Sequence, residues 1–371
     1  MRTITNLFAS AKLIGANTDP DTYHRTTGGE RGQPDFIMSR SALSDFVNCP
    51  SKWLAGHSSG ETNATKWGSL IDALILSPRE FEQRFAVYPE NYPVETLKCP
   101  KCESLSDAKN CNCTPKRTER LPVTAEKPWN NNATYCKEWK KEHAGRTFIY
   151  RERVNDDGDP DEDTKVATLG NARRATDRLL RDDRLRSLLT DAQTQVMVLA
   201  DYHDRATGIT VPFKVLLDIV PDVNSPQWKK CLADFKTARD ASEREFAKAV
   251  HSGFYDWQAA TYRDAYALAT GEDRIDFLFA VQENTPPYEP ALWSLGETWL
   301  EEARMEVHSA LEFYCGCLAT NTWPSYRITS PIDSWGALSR EAYMLRDIPR
   351  PPKAEPPDRK EYVLHELEIT P

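Results

Sequence analysis

Two short apolar segments of this 371-residue sequence each carry one carboxylate, and the second also carries a lysine. The first, Val-Leu-Leu-Asp-Ile-Val, contains Asp218, and the second, Cys-Leu-Ala-Asp-Phe-Lys, contains Asp234 and Lys236. Successive side chains of a strand point to opposite faces, so Asp234 and Lys236 are expected on one face and Phe235 on the other. If the two strands pair, Asp218 can face them across the ladder. Two carboxylates and an ammonium at one point indicate a site for a divalent cation and an activated water.

A solvated surface ion pair is the alternative explanation of this Asp-x-Lys pattern. Two features favour the metal site. Both carboxylates lie within apolar runs, where an unpaired charge is costly to bury. A helical segment follows and carries Gln258 and Tyr262, which are four residues apart and therefore share one face. A packed helix with a polar edge would explain these last two residues equally well.

Asp72 is the single charge in the apolar segment 67–76, which is predicted to be a buried helix. Carboxylates inside apolar helices are usually paired, with a metal or an arginine as the usual partner. Stabilisation of the carboxylate by the helix dipole in an N-terminal turn is the alternative. The residues from Ser77 to Glu80 predict the start of a new helix with a capping box.

Four of the nine cysteines fall within fifteen residues. The pattern combines a Cys-x-x-Cys pair with a Cys-x-Cys pair and predicts a small tetrahedral zinc site in an insertion. The predicted ligands are Cys99, Cys102, Cys111 and Cys113. A loop of reduced thiols is the alternative.

Composition describes a globular protein, with 40% hydrophobic residues and ten tryptophans. No apolar run approaches the length of a membrane span and the N-terminus lacks a signal pattern, so a cytoplasmic protein without membrane contact is expected. The number of cysteines is odd and some of them are clustered, which suits reduced thiols or a metal site better than disulfides. The net charge of −9 argues against general affinity for nucleic acid, although an acidic exterior around a basic path is compatible with a nuclease.

Hydrophobic periodicity predicts an α+β fold in which helices flank a central mixed β-sheet with a small Cys-rich insertion. Ser41 is the expected N-cap of the first core helix, and 166–189 is expected to be helical with arginine-rich faces. The expected organisation is a flexible N-terminal arm (1–37), one domain (38–330) with the insertion at 97–120, and a Pro-rich tail (331–371).

Five segments in this order resemble motifs of the PD-(D/E)xK nuclease superfamily, specifically its RecE-type (exodeoxyribonuclease VIII-like) phage exonucleases. They are 39–50, 68–74 with Asp72, the Asp218 and Asp234-Phe-Lys236 pair, 253–262 with Gln258 and Tyr262, and Trp323-Pro-Ser-Tyr326. Two positions depart from the family pattern. Asp72 stands for a histidine, and either Gln193 or Gln195 stands where a glutamate is often found.

The resemblance implies a restriction-endonuclease-like fold and one or two Mg²⁺ (or Mn²⁺) ions. Their ligands would be Asp218, Asp234, the Phe235 carbonyl and Asp72.

In the mechanism that follows from this resemblance, Lys236 orients the attacking water and lowers its pKa. Gln258 and Tyr262 position Lys236 or the scissile phosphate.

The same resemblance implies degradation of double-stranded DNA ends in the 5′-to-3′ direction for recombination, a single-strand annealing protein (RecT-like) as partner, and a homo-oligomer. An endonuclease or a single-strand-specific nuclease on the same core fits the motifs equally well. A noncatalytic DNA-binding recombination-accessory protein is the alternative, and the two departures favour it. A zinc-dependent interaction module around the cysteines accounts for less of the chain.

Overall fold

The structure is a computed structural model that describes residues 6–57, 62–105, 113, 121–152 and 168–326. The chain forms two compact units, the first from Met1–Thr62 with Arg178–Pro371 and the second from Asn63–Asp177. The tail predicted at 331–371 lies outside the described residues. Within the described ranges, no helix combines the length and apolar character that a membrane span requires.

The first unit contains one seven-stranded sheet. Its strands are β1 (Ser10–Gly15), β2 (Met38–Ser39), β7 (Gln193–His203), β8 (Thr210–Val220), β9 (Cys231–Ala238), β10 (Asp276–Glu283) and β11 (Pro290–Ser294). The second unit contains β3 (Phe85–Val87), β4 (Asn91–Lys98), β5 (Leu121–Pro128) and β6 (Thr147–Ile149).

Helices accompany the strands of both units. Those of the first unit are α1 (Pro20–Arg25), α2 (Arg40–Asn48), α3 (Pro50–Leu54), α8 (Asp183–Leu189), α9 (Glu243–Ser252), α10 (Tyr255–Thr270) and α11 (Glu297–Thr320). The second unit has α4 (Asn63–Ile75), a 3₁₀ turn (Pro78–Glu80), α5 (Phe81–Arg84) and α6 (Thr134–Glu142), and α7 (Leu169–Leu180) continues from it into the first.

The large sheet is mixed, as predicted, and the α+β fold class is confirmed. Its order is β1-β7-β8-β9-β10-β11, with β2 paired to β8 as well. Neighbouring strands are antiparallel except at two places, where β9 pairs with β10 and β2 with β8 in parallel. The connections of β8 to β9 and of β9 to β10 place the two acidic strands at the centre of the sheet, where both of their faces can be covered.

A single hydrophobic core unites the sheet with its helices. Helix α10 is buried over most of its length because it carries alanine and aromatic residues on nearly every face. The fully buried side chains of this core include Phe46, Trp53, Trp257, Phe277 and Tyr314. Such close packing holds backbone positions to within fractions of an ångström, which a catalytic site requires.

The expectation of a flexible arm at 1–37 is wrong for the described residues from 6 onwards. Strand β1 extends the sheet by pairing with β7, and Leu7 and Phe8 are buried in the core. Helix α1 follows, with Asp19 as its N-cap and Pro20 at its first position. The Asp-Pro pair is itself a helix-start signal, but the surrounding polar residues concealed it.

Three local predictions also need correction. The N-cap of α2 is Ser39, whose hydroxyl accepts from the Ala42 N–H, in place of Ser41. The capping box at Ser77 does not form, since its hydroxyl accepts instead from Arg84 Nη1 at 3.2 Å. The helix predicted at 166–189 is two helices, because Asp182 caps a new one.

The second unit is larger than the insertion predicted at 97–120, and the expected single domain 38–330 is divided accordingly. Its two small sheets are the parallel pair β3 and β6 and the antiparallel ribbon of β4 and β5. Helix α4 contributes the buried Trp67, Leu70 and Ile71 to this unit.

Candidate active site

Asp218 lies where the hydrogen-bond ladder of β8 is interrupted on both sides. The ladder between β7 and β8 omits the pair formed by Asp218 and Gln195, and Gln195 has a left-handed backbone with φ of 50°. On the other side, β8 pairs with β9 only between Ile219 and Ala233. The Phe235 N–H donates to the Asp218 carboxylate at 2.9 Å. This acidic side chain therefore satisfies a backbone donor that the ladder leaves without a carbonyl.

Of the two glutamines that the sequence left as alternatives, Gln195 is the one that lies beside Asp218. Its side chain is buried, and its Nε2 donates to Asp218 Oδ1 at 3.5 Å, whereas Gln193 is exposed. A left-handed conformation is uncommon for residues other than glycine and is typically retained where surrounding structure enforces it. Here the Thr18 N–H donates to the Gln195 carbonyl at 3.0 Å and holds the turned backbone.

Asp234 is the most buried acid of the site, with 1% of its side chain exposed. One carboxylate oxygen forms an ion pair with the Lys236 ammonium, and the other accepts from Gln258 Nε2 at 2.6 Å. Alternation along β9 thus brings Asp234 and Lys236 together, as predicted, and α10 supplies the third member. The Gln258 Oε1 is buried and has no hydrogen-bond partner among the described residues.

Lys236 lies against an aromatic ring that sequence reasoning did not assign. Its Nζ is 4.8 Å from the centre of the Tyr255 ring, which favours a cation. Burial lowers the pKa of Lys236, but the carboxylates of Asp234 and Asp218 outweigh burial and raise this pKa above the ordinary lysine value. Lys236 is therefore a fixed positive charge at neutral pH and not a general base.

Gly253 shows why the residues before α10 are constrained. A Cβ at this position would lie 2.7 Å from the Tyr255 ring and 2.9 Å from the Ala249 carbonyl oxygen. Only glycine permits that approach, which sets Tyr255 in position beside Lys236. The Gly253 carbonyl also accepts from Arg40 Nη1 at 3.1 Å, so α2 is tied to the same turn.

The N-terminal segment places Tyr23 near Asp218, which the sequence did not reveal. Burial raises the pKa of Tyr23, the Arg40 charge opposes that rise and the Asp218 charge adds to it. Tyr23 also lies over Lys214, whose Nζ is 4.5 Å from its ring centre and donates to the Tyr23 and Thr26 carbonyls at 2.7 Å each. The cap signal at Asp19 was the only sequence feature that could have placed Tyr23 on a helix.

Tyr262 shares the buried face of α10 with Gln258. Burial raises the pKa of its phenol, and the charges of Tyr23, Asp234 and Asp218 act in the same direction. Tyr262 is therefore a neutral hydroxyl at neutral pH. The five predicted catalytic residues all belong to the first unit, and their catalytic roles remain predictions.

Hard oxygen donors suit Mg²⁺ or Mn²⁺, and this site offers the carboxylates of Asp218 and Asp234 and the carbonyl of Phe235. The Lys236 ammonium donates to Asp234 and lies 3.4 Å from the Phe235 carbonyl oxygen. These two oxygens therefore both contact a positive charge. The chemistry of the donor set therefore fits a divalent cation, with two acidic side chains from this unit.

Asp72 belongs to the second unit, where its carboxylate lies 3.8 Å from Arg84 Nη1. An arginine was one of the two partners expected for it. Its role as a ligand of the same metal remains a prediction.

The second unit also contains the predicted cysteine cluster. The sulfur atoms of Cys99, Cys102 and Cys113 all lie within 4.8 Å of one another. In the described part of the chain, this is the only group of three or more cysteine, histidine or acidic side chains so close together. Cys111 lies outside the described residues.

Comparison with known families agrees with this geometry. A family model described as "PDDEXK-like domain of unknown function (DUF3799)" matches residues 128–329, more than half of the chain. The chain belongs to this family, and its fold is that of the PD-(D/E)xK nuclease superfamily. The matched region contains Asp218, Asp234, Lys236, Gln258 and Tyr262, and it does not include Asp72 or the cysteine cluster.

Several solved structures match this chain at low sequence identity and with TM-scores below 0.5. A "putative exonuclease" from Eubacterium rectale is 15% identical, with 80% of this chain and 86% of that chain covered and a TM-score of 0.45. SSO0001 is 13% identical over 37% of this chain and 56% of that chain, with a TM-score of 0.23. Candida albicans Rai1, in a complex with pU5 and Mn²⁺, is 10% identical over 85% of this chain and 82% of that chain, also with a TM-score of 0.23. No curated protein matches the sequence significantly.

Proposed function

We propose that this protein is a metal-dependent nuclease that hydrolyses phosphodiester bonds of linear double-stranded DNA. The observation that supports it best is the contact network of Asp234, in which Lys236 and Gln258 each engage one carboxylate oxygen. An ordinary surface ion pair does not explain this arrangement, because Asp234 is buried and Asp218 lies beside it at the interrupted ladder.

Mg²⁺ or Mn²⁺ would be held by Asp218, Asp234 and the Phe235 carbonyl. When bound, such an ion polarises the phosphate and lowers the pKa of a coordinated water. Asp234 would exchange its lysine partner for the metal ion, so the negative charge of its carboxylate would remain compensated.

The chain's own side chains then have separate tasks. Lys236 is held protonated by its two acidic neighbours, so it would orient the attacking water and stabilise negative charge on the phosphate. Gln258 fixes the rotamer of Asp234 through its amide N–H. The Oε1 of Gln258 is left free to accept from Lys236 or from a water when the lysine turns towards substrate.

The finer assignment is a RecE-type exonuclease that degrades DNA ends 5′ to 3′ and supplies a 3′ single strand to an annealing protein, acting as a homo-oligomer. The order of the five motifs supports it.

The test uses linear duplex DNA labelled at either the 5′ or the 3′ end, with Mg²⁺, and compares wild type with Lys236→Ala. Removal of a group that stabilises negative charge in the transition state lowers the rate by roughly a hundredfold or more. The matched control is Lys248→Ala on α9, since this lysine is 58% exposed and outside the site. Early loss of the 5′ label, absent in Lys236→Ala and retained in Lys248→Ala, is the expected result. Equal activity of wild type and Lys236→Ala would exclude this site.

A noncatalytic DNA-binding accessory protein is the second candidate, and Gln195 is the observation that favours it. At Asp218 this residue contributes an amide donor where the related motif often has a glutamate. Wild-type protein that binds the duplex in a gel-shift experiment but cleaves neither strand with Mg²⁺ or Mn²⁺ would favour this function over the nuclease.

A further inference from the structure

Three thiols converge at the end of an exposed β-ribbon in the second unit. Cys99 directly follows β4, and its side chain is completely buried although every residue of β4 and β5 is exposed or only partly buried. Cys102 is exposed and Cys113 is partly exposed, and the three sulfur atoms lie within 4.8 Å of one another.

The backbone around Cys99 is folded so that the Cys-x-x-Cys pair presents both sulfur atoms to one point. The Glu103 N–H donates to the Cys99 carbonyl at 2.9 Å, and the Cys99 N–H donates to the Ser104 carbonyl at 2.8 Å. Glu103 has a left-handed backbone with φ of 61°, which reverses the chain directly after Cys102. These two hydrogen bonds close the turn around the Cys-x-x-Cys pair.

The ribbon itself explains why such a turn needs a further stabilising element. A two-stranded sheet whose side chains are at most partly buried gains little stability from packing, and small modules of this kind are usually stabilised by a disulfide or a metal. No disulfide joins any two of the described cysteines, and the convergence of three sulfur atoms on one point suits a metal ion.

We propose that Cys99, Cys102 and Cys113 bind a structural Zn²⁺ ion that stabilises the end of this ribbon. Thiolate sulfur is a soft donor that selects zinc over the hard cations Mg²⁺ and Ca²⁺. A tetrahedral ion with Zn–S distances of about 2.3 Å separates its sulfur ligands by about 3.8 Å, so a contraction of about 1 Å or less completes the site. Cys111, predicted from the sequence as the fourth ligand, lies outside the described residues.

This site is independent of the proposed nuclease function, since its three sulfur donors belong to the second unit and lie outside the matched family region. Its test therefore measures metal and thiol chemistry, and failure of the DNA cleavage assay would leave it untouched.

The experiment measures zinc in the full chain by mass spectrometry after expression in zinc-supplemented medium and purification without chelator. We expect about one zinc ion per wild-type chain and at least a tenfold loss in Cys102→Ser and Cys113→Ser. Cys136→Ala is the matched control, because Cys136 is a free cysteine on α6 of the same unit but not a member of the cluster. Wild type without zinc, or zinc retained in both serine variants, would overturn the proposal.

A measurement on unaltered protein guards against misfolding of the variants. Cys102 is exposed, so a free thiol there would react quickly with iodoacetamide whether or not a chelator is present. A zinc-bound Cys102 is protected, and we expect its alkylation to become at least about tenfold faster after a strong chelator is added. Equal alkylation rates with and without chelator would contradict zinc binding.

Discussion

At the scale of single residues, the site depends on an interruption of the hydrogen-bond ladder at one carboxylate. Asp218 lies at a gap in both ladders of β8, and the gap on the β7 side coincides with the left-handed backbone of Gln195. In a regular strand the backbone of Gln195 would not be left-handed, and its side chain would point in a different direction. The buried amide and the acid at 3.5 Å therefore belong to one local distortion.

Substitution Gln195→Glu tests whether this distortion can hold a metal ligand. The new carboxylate would lie beside Asp218, so two like charges would repel in the absence of metal and bind a cation more tightly in its presence. We expect a lower melting temperature without divalent metal and a decrease of about tenfold in the Mg²⁺ concentration that gives half-maximal cleavage, equivalent to about 1.4 kcal/mol.

The control for this substitution is Gln193→Glu, the same change at an exposed position of the same strand. Its melting temperature and Mg²⁺ requirement are expected to match wild type. Identical behaviour of the two glutamate variants would show that Gln195 does not contribute to the metal site.

Lys214 gives a prediction about pH. Burial lowers its pKa to about 8, against an ordinary value of 10.5 in the unfolded chain. Below pH 8 the ammonium is protonated in both states and folding carries the full cost of burying it. Between about pH 8 and 10.5 the unfolded chain binds more protons than the folded chain, so the Lys214 contribution makes the free energy of unfolding rise with pH.

Urea unfolding at pH 7 and pH 9.5 measures this contribution when wild type is compared with Lys214→Met. The free energy of unfolding of wild type is expected to gain up to about 2 kcal/mol relative to the variant over this range. Hydrogen bonds from Nζ to the carbonyls of Tyr23 and Thr26 favour the charged form and make this an upper value. A constant difference between the two proteins would show that Lys214 titrates normally.

At the scale of elements, the N-terminal segment is fixed by one buried ion pair. Asp264 of α10 accepts twice from Arg304 of α11, at 2.9 Å each, and also accepts from the Leu7 N–H at 2.9 Å. The neighbouring Asn6 amide donates to the Asp264 carbonyl at 3.0 Å. These contacts hold the start of β1 to both helices, which is why residues predicted as a loose arm form part of the sheet.

Loss of the Asp264 carboxylate leaves a buried guanidinium without its partner, since only 12% of the Arg304 side chain is exposed. Asp264→Ala is therefore expected to lower the free energy of unfolding by about 3–5 kcal/mol. Urea denaturation measures the change in the free energy of unfolding. Relative to wild type, hydrogen exchange in the variant is expected to accelerate more in β1 than in β9. The control Glu245→Ala removes an exposed pair with Lys248 and is expected to cost less than about 1 kcal/mol. Equal losses in the two variants would contradict the structural role of Asp264.

At the scale of the whole molecule, the two units offer different donors to metals. The first presents carboxylate and carbonyl oxygens, and the second presents sulfur. Oxygen sites that hold Mg²⁺ exchange it readily, whereas zinc bound by thiolates is retained through purification.

Extensive dialysis into metal-free buffer without chelator is therefore expected to abolish DNA cleavage while zinc remains bound. Addition of Mg²⁺ or Mn²⁺ alone is expected to restore the full rate, because the exchangeable ion is the one used for hydrolysis. Cleavage rate and zinc content are measured on the same sample. Recovery that requires added Zn²⁺ would place a zinc ion in the catalytic step.

The sequence by itself determined the α+β class, the two acidic strands and the helix that carries Gln258 and Tyr262. Local periodicity encodes these features, because a strand alternates every second residue and a helix repeats at i and i+4. It also identified the cysteine pairs, whose spacing within fifteen residues is a local property.

Only the tertiary structure decided what surrounds Asp218. Tyr23 reaches Lys214 of the same strand across 191 residues of sequence, and Gln195 meets Asp218 because two strands pair with a kink. No local pattern specifies such contacts, since they depend on how the whole core packs and on which backbone groups the ladder leaves for side chains to satisfy. The sequence therefore identified the residue types of the site, whereas the residues that surround the site were determined by tertiary packing.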